Sequence, residues 1–113
     1  MPIALLASDL MMASRVHAAA DAAGASILRC GSPDGLPPAA DVPLLIVDWS
    51  ERTDAWGEAI TAWRGGAETR VIVYGQHTDL EAHAAARAAG LGPMWARSRL
   101  VRELPRLIAA AAR

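Results

Sequence analysis

An unbroken apolar run, Leu44-Leu45-Ile46-Val47, starts after Pro43 and leads directly into Asp48. A run of this kind, with no polar alternation, predicts a strand buried on both faces, the type found at the centre of a parallel sheet covered by helices. Leu45, Ile46 and Val47 are therefore expected to be nearly inaccessible to solvent. Similar short apolar runs recur along the chain. Pro2–Ala7 gives a strand over Ile3–Ala7 that ends in Ser8-Asp9. Ser26–Cys30 and Arg70–Tyr74 follow, the latter with Val71, Ile72 and Val73 β-branched throughout, and Met94–Ala96 is a short last strand.

Between these runs the period changes to that of a helix. Met12, Val16, Ala19 and Ala23 fall on one face, and Gly24 stops the pattern. Trp56, Ile60 and Trp63 form the inner stripe of a second helix, capped by Thr53 or Asp54 and ended by Gly65-Gly66. Thr78-Asp79-Leu80-Glu81 fits a capping box before an alanine-rich helix that runs to Gly90. Ser98 or Arg99 opens the last helix, with Leu100, Leu104, Leu107, Ile108 and Ala111 at helical spacing. Pro105 within it bends the helix unless the regular part starts only a few residues earlier. Gly31–Asp41 holds three prolines and two glycines, so a loop or a single helical turn is expected there. Strand and helix thus alternate, with the second helix eroded to a loop. That order predicts one α/β domain over residues 1–113, a parallel sheet with helices on both faces.

Composition narrows the function. The chain is 53% apolar with a net charge of −1, which gives no reason to expect nucleic acid or an anionic membrane as partner. No apolar stretch approaches a membrane span, and the start lacks the basic and long apolar runs of a signal peptide, so a cytoplasmic protein is expected. All eleven basic residues are arginine. Cys30 is alone and is expected to be a buried thiol rather than a disulfide or metal ligand. His17, His77 and His83 have no metal-ligand spacing, and no nucleophile–base–acid set is visible. Gly31-Ser32-Pro33-Asp34-Gly35 has the wrong spacing for a phosphate loop. Chemistry is instead expected at the carboxyl ends of the strands, where open parallel sheets bind ligands. Asp9 and Asp48 stand there. Read from the residues alone, Asp48 is a site carboxylate or a strand-end acid satisfied by Arg97 and loop amides; Asp9 is the cap of the first helix or a metal ligand.

Taken together, Leu45-Ile46-Val47-Asp48-Trp49, Ser8-Asp9, Ala88-Ala89-Gly90 and Arg97-Ser98 resemble the response-regulator receiver domain of the chemotaxis-regulator type over nearly the whole chain. The resemblance implies a flavodoxin-like three-layer sandwich with strand order 2-1-3-4-5 and helix 2 shortened or missing. It makes Asp48 the phosphoacceptor. Asp9, Asp48 and the backbone carbonyl of Ser50 become ligands of a weakly held Mg²⁺. Gly75 falls where the family carries a hydroxyl, and Arg97 falls at its lysine. Ser8 replaces one acid of the family's pair, so the site is half kept, and an arginine fork is not equivalent to an ammonium point charge. The implied function is a signalling module working through protein–protein contact, with phosphoacceptance at Asp48 weakened or lost. A functional Mg²⁺-dependent receiver is the first alternative; a small flavodoxin-like enzyme or ligand-binding domain using the Asp9–Asp48 cleft is the second. The implied partner is a histidine kinase, another signalling protein or a second copy. It would dock on the family's helix 4–strand 5–helix 5 face, which here includes Arg87, Leu91, Trp95, Leu100 and Arg102. Trp49 is expected to be exposed at the site rim, and Trp56 and Trp63 to pack in the core.

Overall fold

A computed structural model describes residues 2–112; Met1 and Arg113 lie outside the described residues. Five strands form one sheet: β1 (Ile3–Leu6), β2 (Ile27–Cys30), β3 (Leu44–Asp48), β4 (Arg70–Gly75) and β5 (Trp95–Ala96). Every pairing is parallel and the order is β2-β1-β3-β4-β5. Leu5 sits opposite Ile46, Ile46 opposite Ile72, and Asp48 opposite Tyr74. The strand order reverses between β1 and β3, so the ends of these two neighbours flank the switch point at which such sheets leave a crevice.

Four α-helices connect the strands: α1 (Leu10–Ala23), α2 (Trp56–Arg64), α3 (Leu80–Ala88) and α4 (Arg97–Ala111). Between β2 and β3, where a further helix would complete the alternation, the proline-rich segment makes only two 3-10 turns, Pro33–Gly35 and Ala39–Asp41. Pro33 pre-sets the first turn, and the missing N–H groups of Pro37 and Pro38 deny the segment a regular ladder.

The alternating residues of the strands divide into two apolar clusters. Ile3, Leu5, Leu44, Ile46, Ile72 and Tyr74 pack with α1 and α4 residues such as Val16 and Leu104. Ala4, Leu6, Leu45, Val47 and Val73 pack with α2 and α3 residues such as Ile60 and Ala86. Leu45, Ile46 and Val47 are completely buried, as the apolar run required.

Capping explains the helix bounds. Asp9 caps α1 by accepting from the N–H groups of Met11 and Met12, and Gly24 closes it at φ +70°, a conformation that costs a glycine little. Asp79, not Thr78, caps α3: its side chain accepts from Ala82 N–H, so the box read from Thr78 is shifted by one residue. Neither Thr53 nor Asp54 caps α2. Its N-cap is Ala55, and the Thr53 hydroxyl accepts from Ala55 N–H in the turn before it. α4 begins at Arg97 and carries Pro105 in its interior, where one intrahelical donor is missing.

Candidate functional site

Asp48 lies at the carboxyl end of β3, 3% exposed. Strand alternation turns it to the same side of the sheet as Ile46, and across the register from Tyr74. Its Oδ1 accepts from Ser50 N–H at 3.1 Å and from the Ser50 hydroxyl at 2.5 Å, and these bonds fold Trp49–Glu51 into a 3-10 turn. Ser50 thus meets Asp48 through its donors.

That turn delivers Glu51, a residue the sequence reading passed over. Its Oε2 accepts from Ser8 N–H at 2.8 Å and its Oε1 from the Ser8 hydroxyl at 2.5 Å, across the gap between the β3 and β1 ends. Glu51 and Asp48 lie close enough for each to shift the other's titration. Burial raises the Asp48 pKa first of all, and the Glu51 charge pushes the same way. Burial also acts to raise Glu51, but the hydrogen bonds from Ser8 and Asp48 and the charge of Arg29 outweigh it, and Glu51 lies below its ordinary value. Of the two carboxyls, Asp48 is thus the one whose ionised form is disfavoured. Arg29 reaches the same corner from β2, its Nε donating to Ala7 O at 2.8 Å. The helical spacing of later residues hid Glu51: it precedes α2 and belongs to no periodic stripe. The available signal was its position three residues after Asp48, enough to bring a longer carboxylate back over a single turn.

Asp9 and Arg97 meet each other rather than Asp48. The second carboxylate oxygen of Asp9 forms an ion pair with the Arg97 guanidinium, which also lies 5.5 Å from the centre of the Tyr74 ring. An Arg97–Asp48 pair, the alternative raised by the sequence, is thus replaced by Arg97–Asp9. The reason is positional: both groups stand at the starts of helices that pack together, α1 and α4.

Gly75 ends β4 with no side chain, and a Cβ built there would fall 2.9 Å from Met94 Sδ. The thioether occupies the place that a hydroxyl would need. Ser50, Gly75, Gln76, Asp79, Met94 and Arg97 border a cavity of about 370 Å³ past the carboxyl ends of β3 and β4. A larger groove, about 670 Å³, runs elsewhere, between α2 and α3, with Trp49, Arg52, Gly57, Glu58 and Ala85 among its walls.

Trp49 is 1% exposed, which corrects the expectation of a rim position. Strand alternation carries it to the opposite side of the sheet from Asp48. There its indole joins the α2–α3 core, with Nε1 donating to Ala82 O at 3.0 Å. Trp56 is buried, and Trp63 is half-buried with its Nε1 donating to Pro37 O, as expected of packing residues. Cys30 is a buried thiol beside Gly35 O, and burial raises its pKa. Leu91, Trp95 and Leu100, expected on a docking face, are core residues instead. What the exposed surface near them presents is Arg87, Arg99 and Arg102, with the Arg99 guanidinium 4.0 Å from the centre of the Trp95 ring.

The donor set does not fit Mg²⁺ as it stands. The ion requires several hard oxygen ligands in near-octahedral array. Asp9 is committed to the α1 cap and Arg97, Ser8 brings no carboxylate, and Asp48 is held by Ser50 and Glu51. Among the described residues no group of three or more His, Cys, Asp or Glu side chains is placed to hold a metal. Among the described residues no helix is long and apolar enough to cross a membrane.

The Tyr74 hydroxyl completes the corner. It is buried without a hydrogen-bond partner. Burial raises its pKa, reinforced by the charges of Asp48 and Glu51. Comparison with known proteins adds no family: no family model, no curated protein and no solved structure matches the chain.

Proposed function

We propose that the chain is a receiver-like signalling module that acts through protein–protein contact, with phosphoacceptance at Asp48 weakened or lost. In this reading the parallel sheet and its helices form a flavodoxin-like three-layer sandwich in the cytoplasm. The partner is a histidine kinase, another signalling protein or a second copy, docking on the face of α3, β5 and α4. One observation supports the reading above all others: Asp48 stands at the carboxyl end of the central strand, at the switch point of the sheet, yet it is buried and already satisfied from within by Ser50. Burial raises the Asp48 pKa and so disfavours the ionised form, which alone offers the attacking lone pair. Arg97, at the family's lysine position, is spent on Asp9.

The test is a titration with Mg²⁺ and beryllofluoride, followed by tryptophan emission and compared with Asp48→Asn and Trp49→Phe. Intact mass is measured in parallel after treatment with a small-molecule phosphodonor. Little or no emission change and no added phosphoryl mass are expected. A saturable Mg²⁺ response that vanishes in Asp48→Asn overturns the preference and makes the chain a functioning phosphoacceptor. Purified protein carrying a bound nucleotide or flavin would favour the flavodoxin-like enzyme.

A further inference from the structure

The ends of β1 and β3 are neighbours in the sheet, and the crevice between them is where a ligand would reach Asp48. That crevice is bridged by side-chain bonds from a residue 43 positions away in sequence. We propose that Glu51 is an internal latch: its carboxylate clasps the N–H and hydroxyl of Ser8, pins the turn after β3 to the turn after β1, and closes the cleft over Asp48.

Three features make the clasp more than a chance surface contact. It is two-pronged, at 2.8 and 2.5 Å, and both bonds end on a carboxylate; charge-assisted bonds are the stronger kind. The turn that presents Glu51 is itself braced, by Asp48 Oδ1 on Ser50 and by the Trp49 indole on Ala82 O. Finally, the donors it takes are those an incoming anion would use. With both Ser8 donors taken by Glu51, a phosphate or carboxylate approaching this cleft meets occupied donors and a negative charge. The latch therefore disfavours an anion at the Ser8 side of the cleft. It rests on these bonds alone and stands whether or not Asp48 ever takes a phosphoryl group.

Releasing the latch should expose Asp48, and carbodiimide-driven amide formation on carboxyl groups, mapped by peptide mass, reads that exposure directly. Wild-type protein, Ser8→Ala and Glu51→Ala are labelled together, with exposed Asp54 as internal reference and amide exchange at Ile46 as the check on global folding. Asp48 is expected to be protected in the wild type and to label about tenfold faster in both variants, the order of effect of losing such bonds on a local opening equilibrium. If Glu51→Ala loses protection at Ile46, Ser8→Ala decides, because it removes one exposed hydroxyl and leaves the backbone unchanged. Asp48 labelling as slowly in the folded variants as in the wild type overturns the latch, as does wild-type Asp48 labelling at the rate of Asp54.

Discussion

The two aspartates at the strand ends differ in what surrounds them, and substitution should separate them. Asp9 fills the α1 cap and pairs with Arg97. Removing a cap costs about 1 kcal/mol, and an ion pair this exposed adds at most about 1 more. Asp9→Ala should therefore lower the urea midpoint clearly. Asp48 is buried, and burial raises its pKa. The stability it contributes is present at low pH and is lost as pH rises through its raised folded value. Asn keeps the acceptor for Ser50 without that loss, so Asp48→Asn should be at least as stable as the wild type at neutral pH. Glu51 has the opposite sign: its pKa is lowered, so its contribution is present above the ordinary carboxylate range and is lost as pH falls. Tyr74 offers a cleaner reading, because it is the only tyrosine in the chain. Burial, then Asp48 and Glu51, hold its pKa above the ordinary value of about 10. Stability tied to the neutral phenol is complete below that value and lost as pH climbs beyond it. An alkaline titration at the tyrosinate band should stay flat through pH 10 and rise only with unfolding; a reversible rise near 10 in folded protein would contradict the buried hydroxyl.

At the scale of elements, β3 carries the fold, and its completely buried residues set the cost of damage. Ile46→Ala should destabilise by about 2–5 kcal/mol, measurable by chemical denaturation, because the cavity opens where strands on both sides leave no room for collapse. The elements were the legible part of the sequence. Apolar runs marked β1, β3 and β4 closely because strands buried on both faces need no alternation to be recognised. The proline-rich segment declared the missing helix. What escaped were side-chain partners, which depend on register and on the length of turns. Trp49 was misplaced because the apolar run makes β3 look uniform, so the side of the sheet on which the next residue falls is not visible in it. Arg97 was given the wrong carboxylate because two acids stand at adjacent strand ends, and only the packing of α1 with α4 chooses between them. Glu51 was missed because it sits in a 3-10 turn, outside every periodic pattern.

For the whole molecule, the burial of Leu91, Trp95 and Leu100 changes what association can use. The face of α3, β5 and α4 offers arginines, so contact there must be polar, and exposed charges interact weakly once salt shortens the screening length. Two copies meeting through this face bring arginines against arginines, so self-association there, followed by sedimentation across concentration, should be weak at low ionic strength and strengthen as salt screens the repulsion, whereas an acidic partner docking on it should be released by salt. The close fit of Gly75 against Met94 has a consequence in the geography of sequence change. A single substitution that puts a side chain at 75 meets sulfur, and a single truncation of Met94 leaves a hole in a finished core. A hydroxyl at this strand end therefore requires the Met94 thioether to swing aside, so the residue that position 75 can hold is coupled to the rotamer of a side chain 19 positions away.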